Sequence, residues 1–196
     1  MIRKIVCLSS FLLLLAACNN STSSTATVEP EEQVYHENGV LREFNTYKNG
    51  KKDGFCIEVD IFGNLLTALN YTEGELNGEQ IFYNGSGRIE QNSHYKMGIL
   101  HGEYISYYSN RAKKEHANYK DGKRDGLTTW YNKLGVESIS YTYKDGILNG
   151  EAKQYYKDGD LKSEGMYKDE IKVGIWNIYS NDGKKVIEDY SQEEKK

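Results

Sequence analysis

Tyrosine recurs at Tyr47, Tyr71, Tyr95, Tyr119, Tyr143 and Tyr167, every step being 24 residues. Seven residues after each stands a glycine: Gly54, Gly78, Gly102, Gly126, Gly150 and Gly174. A second tyrosine register follows the first by twelve, at Tyr83, Tyr107, Tyr131, Tyr155 and Tyr179, with Tyr35 one period earlier and Val59 as the exception. A second glycine register follows by sixteen, at Gly39, Gly63, Gly87, Gly135, Gly159 and Gly183, where Arg111 is the departure. Four registers with one spacing require a single supersecondary unit repeated along the chain.

Each period carries two turn signals. Asn49-Gly50, Asp121-Gly122 and Asp145-Gly146 typify the first, which degenerates to Asp169-Glu170; Asn38-Gly39, Asp158-Gly159 and Asp182-Gly183 typify the second. Such pairs supply the positive φ that hairpin turns need. The runs between them, such as Glu103 to Tyr107, have strand length and composition. The expected fold is all-β: an elongated antiparallel meander of tandem 24-residue hairpins in a single curled sheet. Counting from the first tyrosine of a repeat as offset zero, we expect a first loop over offsets two to six and a second over thirteen to seventeen. Side chains alternate along a strand. All even offsets then share one face, with Phe55, Ile57, Leu69, Tyr71, Ile81, Tyr83 and Tyr95 among them. Both tyrosine ladders lie on that face near opposite edges, and Trp130 and Trp176 are exceptions on the polar odd face. About thirteen strands at ~4.8 Å give a sheet roughly 60 Å long.

The ends of the chain read differently. Arg3 and Lys4 precede an apolar run from Ile5 to Ala17, the layout of a secretory signal. Thirteen residues fall short of the ~17–25 that span a bilayer as a helix. The expected organisation is a signal peptide over 1–17, Cys18 and a disordered tether over 18–34, and the array over 35–190. The array has a partial repeat at 35–46 and six repeats starting at 47, 71, 95, 119, 143 and 167; a charged tail at 191–196 follows it. The Asn, Ser and Thr of the tether cannot bury a core.

Leu15-Ala16-Ala17-Cys18 resembles the bacterial lipobox, and the stretches 143–150 and 155–168 resemble the MORN repeat variant of many bacterial proteins. The first resemblance implies diacylglyceryl and fatty acyl (palmitate-type) modification at Cys18. Two or three acyl chains, at about 0.8 kcal/mol per buried CH₂, make a lasting anchor. It also implies export to the cell envelope, to the outer membrane in a Gram-negative cell because Asn19 is not Asp. The second implies a protein-interaction platform. Several bacterial proteins of this build are catalogued as antitoxin components of toxin–antitoxin pairs, which would imply neutralisation of a toxin.

Composition narrows the function classes. Without Arg3 and Lys4, 23 of the 25 basic residues remain against 29 acidic ones, a net of −6. Nucleic acid is then a poor partner, since phosphate binding needs a basic stripe. His36, His94, His101 and His116 lack metal-ligand spacing, and Cys56 is the one ordinary cysteine of the mature chain, so neither metal nor disulfide is expected. The glycines recur at turns, no Gly-x-Ser-x-Gly elbow or P-loop occurs, and no enzyme or cofactor is expected. The candidate binding surface is Tyr71, Tyr83, Tyr95, Tyr107, Tyr119, Tyr131, Tyr143 and Tyr155 with Trp130 and Trp176, because tyrosine and tryptophan dominate hot spots. The expected role is a membrane-anchored scaffold for an unidentified protein. An antitoxin or immunity protein and a glycan-binding module of the envelope are the alternatives.

Overall fold

The computed structural model describes residues 4–7 and 31–191. Cys18, the lipobox and most of the expected signal and tether lie outside them, as does the tail after Ser191. The regular structure is all β, beginning with β1 (Lys4–Cys7), β2 (Glu31–Tyr35), β3 (Leu41–Lys48), β4 (Lys51–Lys52), β5 (Gly54–Val59) and β6 (Leu65–Thr72). It continues through β7 (Glu75–Leu76), β8 (Gly78–Tyr83), β9 (Ile89–Lys96), β10 (Ile99–Tyr107), β11 (Lys113–Lys120) and β12 (Lys123–Arg124). The last third holds β13 (Gly126–Tyr131), β14 (Glu137–Lys144), β15 (Ile147–Tyr155), β16 (Leu161–Lys168), β17 (Ile171–Tyr179) and β18 (Lys185–Asp189). The strands pair antiparallel in chain order, the two-residue β4, β7 and β12 each with the strand before it alone, so one long meander runs from β1 against β2 to β18 against β17. The array opens at Glu31, inside the segment read as tether, and Lys4–Cys7 from the expected signal pairs along that first strand.

The first turn is tighter than expected. Tyr47 pairs with Lys52 and Lys48 with Lys51, leaving Asn49 and Gly50 as a two-residue loop. Both have positive φ, 51° and 79°, which is the type I′ geometry whose twist matches that of the flanking strands. Two further residues, such as Asp53 and Gly54, then bulge from the second strand before pairing resumes at Phe44 with Ile57 and Glu43 with Glu58. This bulge explains the glycine seven residues after each tyrosine. At Gly150 (φ 127°) a Cβ would come within 2.9 Å of the Thr142 Cβ. The turns stack: the N–H of Gly74, Gly98, Gly122 and Gly146 each donates to a carbonyl of the preceding repeat, at Lys52, Leu76, Leu100 and Arg124. The second turn matches the expected loop. Asp60 N–H donates to Asn64 O, Gly63 N–H to Asp60 O, and Val59 pairs with Leu65.

A two-residue loop plus a two-residue bulge, instead of a five-residue loop, changes the parity of the pairing. Period-two side chains turn a one-residue slip into an exchange of faces. The even offsets therefore do not share a face. Even offsets on the strand before each first tyrosine join odd offsets on the strand after it. One face carries Asn45, Tyr47, Cys56, Leu69, Tyr71, Gln80, Ser93, Tyr95, Tyr104, Ala117, Tyr119, Thr128, Trp130, Tyr141, Tyr143, Ala152, Tyr167 and Trp176. Tyr83, Tyr107, Tyr131, Tyr155 and Tyr179 alternate to the other. The two ladders thus lie on opposite faces, and Trp130 and Trp176 join the first ladder.

Most of the buried side chains belong to that first face: Val34, Asn45, Cys56, Gln80, Ser93, Ala117, Thr128, Ala152, Ser163 and Trp176. They are mostly small because a single layer has no second layer to pack against. Large rings cover small neighbours instead. Tyr104 pairs with Ser93 and Ala117, and Tyr141 with Thr128 and Ala152. Trp176 lies so close over Gly165 that a Cβ there would meet its ring at 2.2 Å. Gln80, fully buried, spans the bulge: its Nε2 donates to Asn70 O and its Oε1 accepts the Asn70 N–H, both at 2.9 Å. That satisfies an interior amide which would otherwise be costly.

Candidate functional site: an aromatic strip with embedded cations

Along the first face the rings form two contact groups, with Arg124 between them. Tyr104 meets Tyr119 edge-on at 5.7 Å between centroids, Trp130 meets Tyr141 at 6.1 Å and Tyr143 at 6.4 Å, Tyr141 meets Tyr167 at 6.0 Å, and Tyr167 meets Trp176 at 5.2 Å. Edge-to-face pairs at such distances add about 0.5–1.5 kcal/mol each beyond their buried area. Tyr141 and Tyr167 rise from strands with another between them, so their backbones are separated by about 10 Å. Rings that meet across that gap lean toward one another over the strand between them.

Cations sit within the strip. The Arg124 guanidinium lies 5.5 Å from the Tyr119 centroid, 5.4 Å from Trp130 and 5.8 Å from Tyr143. Its Nη2 donates to Glu115 Oε1 at 2.5 Å. Burial opposes the charge of Arg124, but the Glu115 hydrogen bond and its negative charge outweigh that, and the pKa is raised. Lys172 lies 4.3 Å over Trp176 and 5.2 Å from the ring of Tyr190. Lys52 lies 5.3 Å over Tyr71. Cation–π contacts at partly exposed sites contribute about 0.5–1 kcal/mol each. Burial pushes Tyr71, Tyr104, Tyr119, Tyr143 and Tyr167 above the ordinary phenol pKa. At Tyr47, burial and then a hydrogen bond donated to Glu32 at 2.8 Å push it up to about 12. The hydroxyls remain neutral donors over the physiological range.

Of the sequence candidates, Tyr71, Tyr95, Tyr119, Tyr143, Trp130 and Trp176 share this face. Trp176 is buried and supports its neighbours, while Trp130 and the tyrosines are half-exposed. Tyr83, Tyr107, Tyr131 and Tyr155 are on the reverse, among cross-strand polar pairs such as Glu79 with Asn92 and Glu103 with His116. Sequence reasoning missed Tyr104, Tyr141, Arg124 and Lys172. Tyr104 and Tyr141 stand outside both 24-residue registers, and Arg124 and Lys172 share an offset with Leu76, Leu100 and Leu148, so no repeat-wide signal marks them.

The remaining titratable groups are dispersed. Among the described residues no three His, Cys, Asp or Glu side chains converge as metal ligands, and Cys56 is buried with a free thiol. No helix among them is long and apolar enough to cross a membrane. No curated protein matches the chain. Two of its segments, residues 31–49 with the first hairpin strands of the array and residues 148–169 running from β15 to the end of β16, match the MORN repeat variant.

Proposed function

We propose that this chain is an exported, lipid-anchored and non-enzymatic scaffold that docks another protein along the aromatic strip. The observation that carries the reading is Arg124 held among Tyr119, Trp130 and Tyr143 on one face of the sheet. Tyrosine, tryptophan and arginine are the residues enriched at energetic centres of interfaces, where large rigid rings offer area at small entropic cost. MORN repeats generally serve as modules for interaction with proteins or membranes. The anchor rests on the lipobox sequence ending at Cys18.

Photo-crosslinking in the native host tests the docking face. A photoreactive side chain at Tyr119 or Tyr143 should yield a discrete protein adduct, and one at Tyr83 or Tyr131 should not. Equal adducts from both faces, or none from the strip, would overturn the reading. Identification of the adduct as a toxin would make this an immunity protein, and retention on purified cell wall in place of any adduct would make it a glycan binder. Cys18→Ser should move the protein from the membrane fraction to the soluble one.

A further inference from the structure

Between the second turns of two adjacent repeats lies an open pocket of ≈ 330 Å³, lined by Gly87, Arg88, Ile89, Tyr107 and Arg111. It sits at the sheet edge, with Ile89 and Tyr107 on the face opposite the aromatic strip. Arg88 donates one hydrogen bond from Nη1 to Ser109 O at 2.9 Å, leaving most of its five donors free for a ligand. Arg111 forms no ion pair among the described residues. Its backbone is the more telling feature. Arg111 adopts φ 73° at the turn position that glycine fills in Gly39, Gly63, Gly87, Gly135, Gly159 and Gly183. A long side chain is thus kept at the one second-turn position in the array that lacks glycine, and backbone strain at such a position clusters at functional sites.

From two arginines that line one pocket beside an isoleucine and a tyrosine ring, we infer that this pocket binds a carboxylate borne on an apolar or aromatic group. Arginine forks match a carboxylate with two parallel hydrogen bonds, while Ile89 and the Tyr107 ring offer the apolar body a floor. The volume suits one residue-sized group. Two sources share this chemistry: the C-terminus of a polypeptide ending in an aromatic residue, and a free organic acid. The pocket and the strip occupy different faces, so either can fail without the other.

Fluorescence anisotropy of the full chain with a dye-labelled Gly-Ser-Gly-Ser-Phe peptide tests it. The free-acid peptide should bind, and its C-terminal amide should bind about tenfold or more weakly. Arg111→Gly is the decisive variant, because it restores the turn residue of the other repeats. It should melt at the same temperature or higher while losing binding about tenfold or more; Arg88→Gln should lose binding likewise. Displacement by phenylacetate at equal concentration would assign the site to small acids, and preference for the peptide would assign it to chain termini. Undiminished binding by Arg111→Gly, equal binding of the amide, displacement by inorganic phosphate as effective as by phenylacetate, or no binding of either acid at millimolar concentration would overturn the inference.

Discussion

At the scale of single residues, the phenols of the strip report on its partial burial. Tyr47 has its phenol held neutral by burial and by the bond to Glu32, with a pKa of about 12 against an ordinary 10.0. A raised acid pKa means that the fold stabilises the protonated form. Its contribution is complete below pH 10 and is lost as pH climbs through about 12. Tyr71, Tyr104, Tyr119, Tyr143 and Tyr167 shift in the same direction. Phenolate absorbance in an alkaline titration should therefore show a late-ionising class, with its last step removed by Tyr47→Phe, and unfolding should accompany that class. Gly165 is the reverse case, a residue needed for what it lacks. Gly165→Ala drives a methyl into the Trp176 ring and should destabilise by about 1–3 kcal/mol in chemical denaturation, with a shifted tryptophan emission.

At the scale of the hairpin, both turns were legible, and so was the pairing across the second, but the pairing across the first was not. Asn-Gly and Asp-Gly pairs announced positive φ, which Asn49, Gly50, Asp121, Gly122, Asp145 and Gly146 all adopt. Asp169 and Glu170 adopt it too, without a glycine, because the neighbouring turn holds them: Glu170 N–H donates to Leu148 O. The glycines after Asp53, Asn77 and Asp125 are equally regular in the sequence, but a bulge glycine and a loop glycine look alike there. Reading Gly54 as a strand start after a five-residue loop moved the register by one, which put both tyrosine ladders on one face and set the two tryptophans apart. Nothing in the apolar pattern corrected this, since Phe55 and Ile57 stand opposite Cys56 in a sheet where both faces carry apolar residues. Deletion tests the bulge directly. Removing Asp125 and Gly126 together keeps the parity and should leave a cooperative transition; removing Gly126 alone should turn Trp130 out of the strip and cost that hairpin its cooperativity.

At the scale of the whole molecule, each repeat pairs through its backbone with adjacent repeats, and contacts that skip a repeat, such as Tyr141 with Tyr167, are side-chain ones, so stability is close to a sum of local terms. Hydrogen exchange should be slowest from β9 to β16, where every strand but the two-residue β12 has two partners and the ring contacts are dense, and fastest in β18. That edge strand exposes Val186 and Ile187 at 58% and 59% and has one partner. Uniform protection across the array would instead indicate a single cooperative unit.

The ring-over-gap arrangement has a further consequence for how such an array diversifies. The backbones of the six periods are nearly interchangeable, but their side chains on the strip's face are not: Tyr141 fits because Thr128 and Ala152 flank it, and Trp176 fits because Gly165 does. A shuffled gene with the same units in a new order would preserve every turn and hydrogen bond while setting bulk against bulk at the seams. Each unit is in effect addressed to its place, and the chain can be lengthened by duplication only where a bulky residue lands beside a spare one.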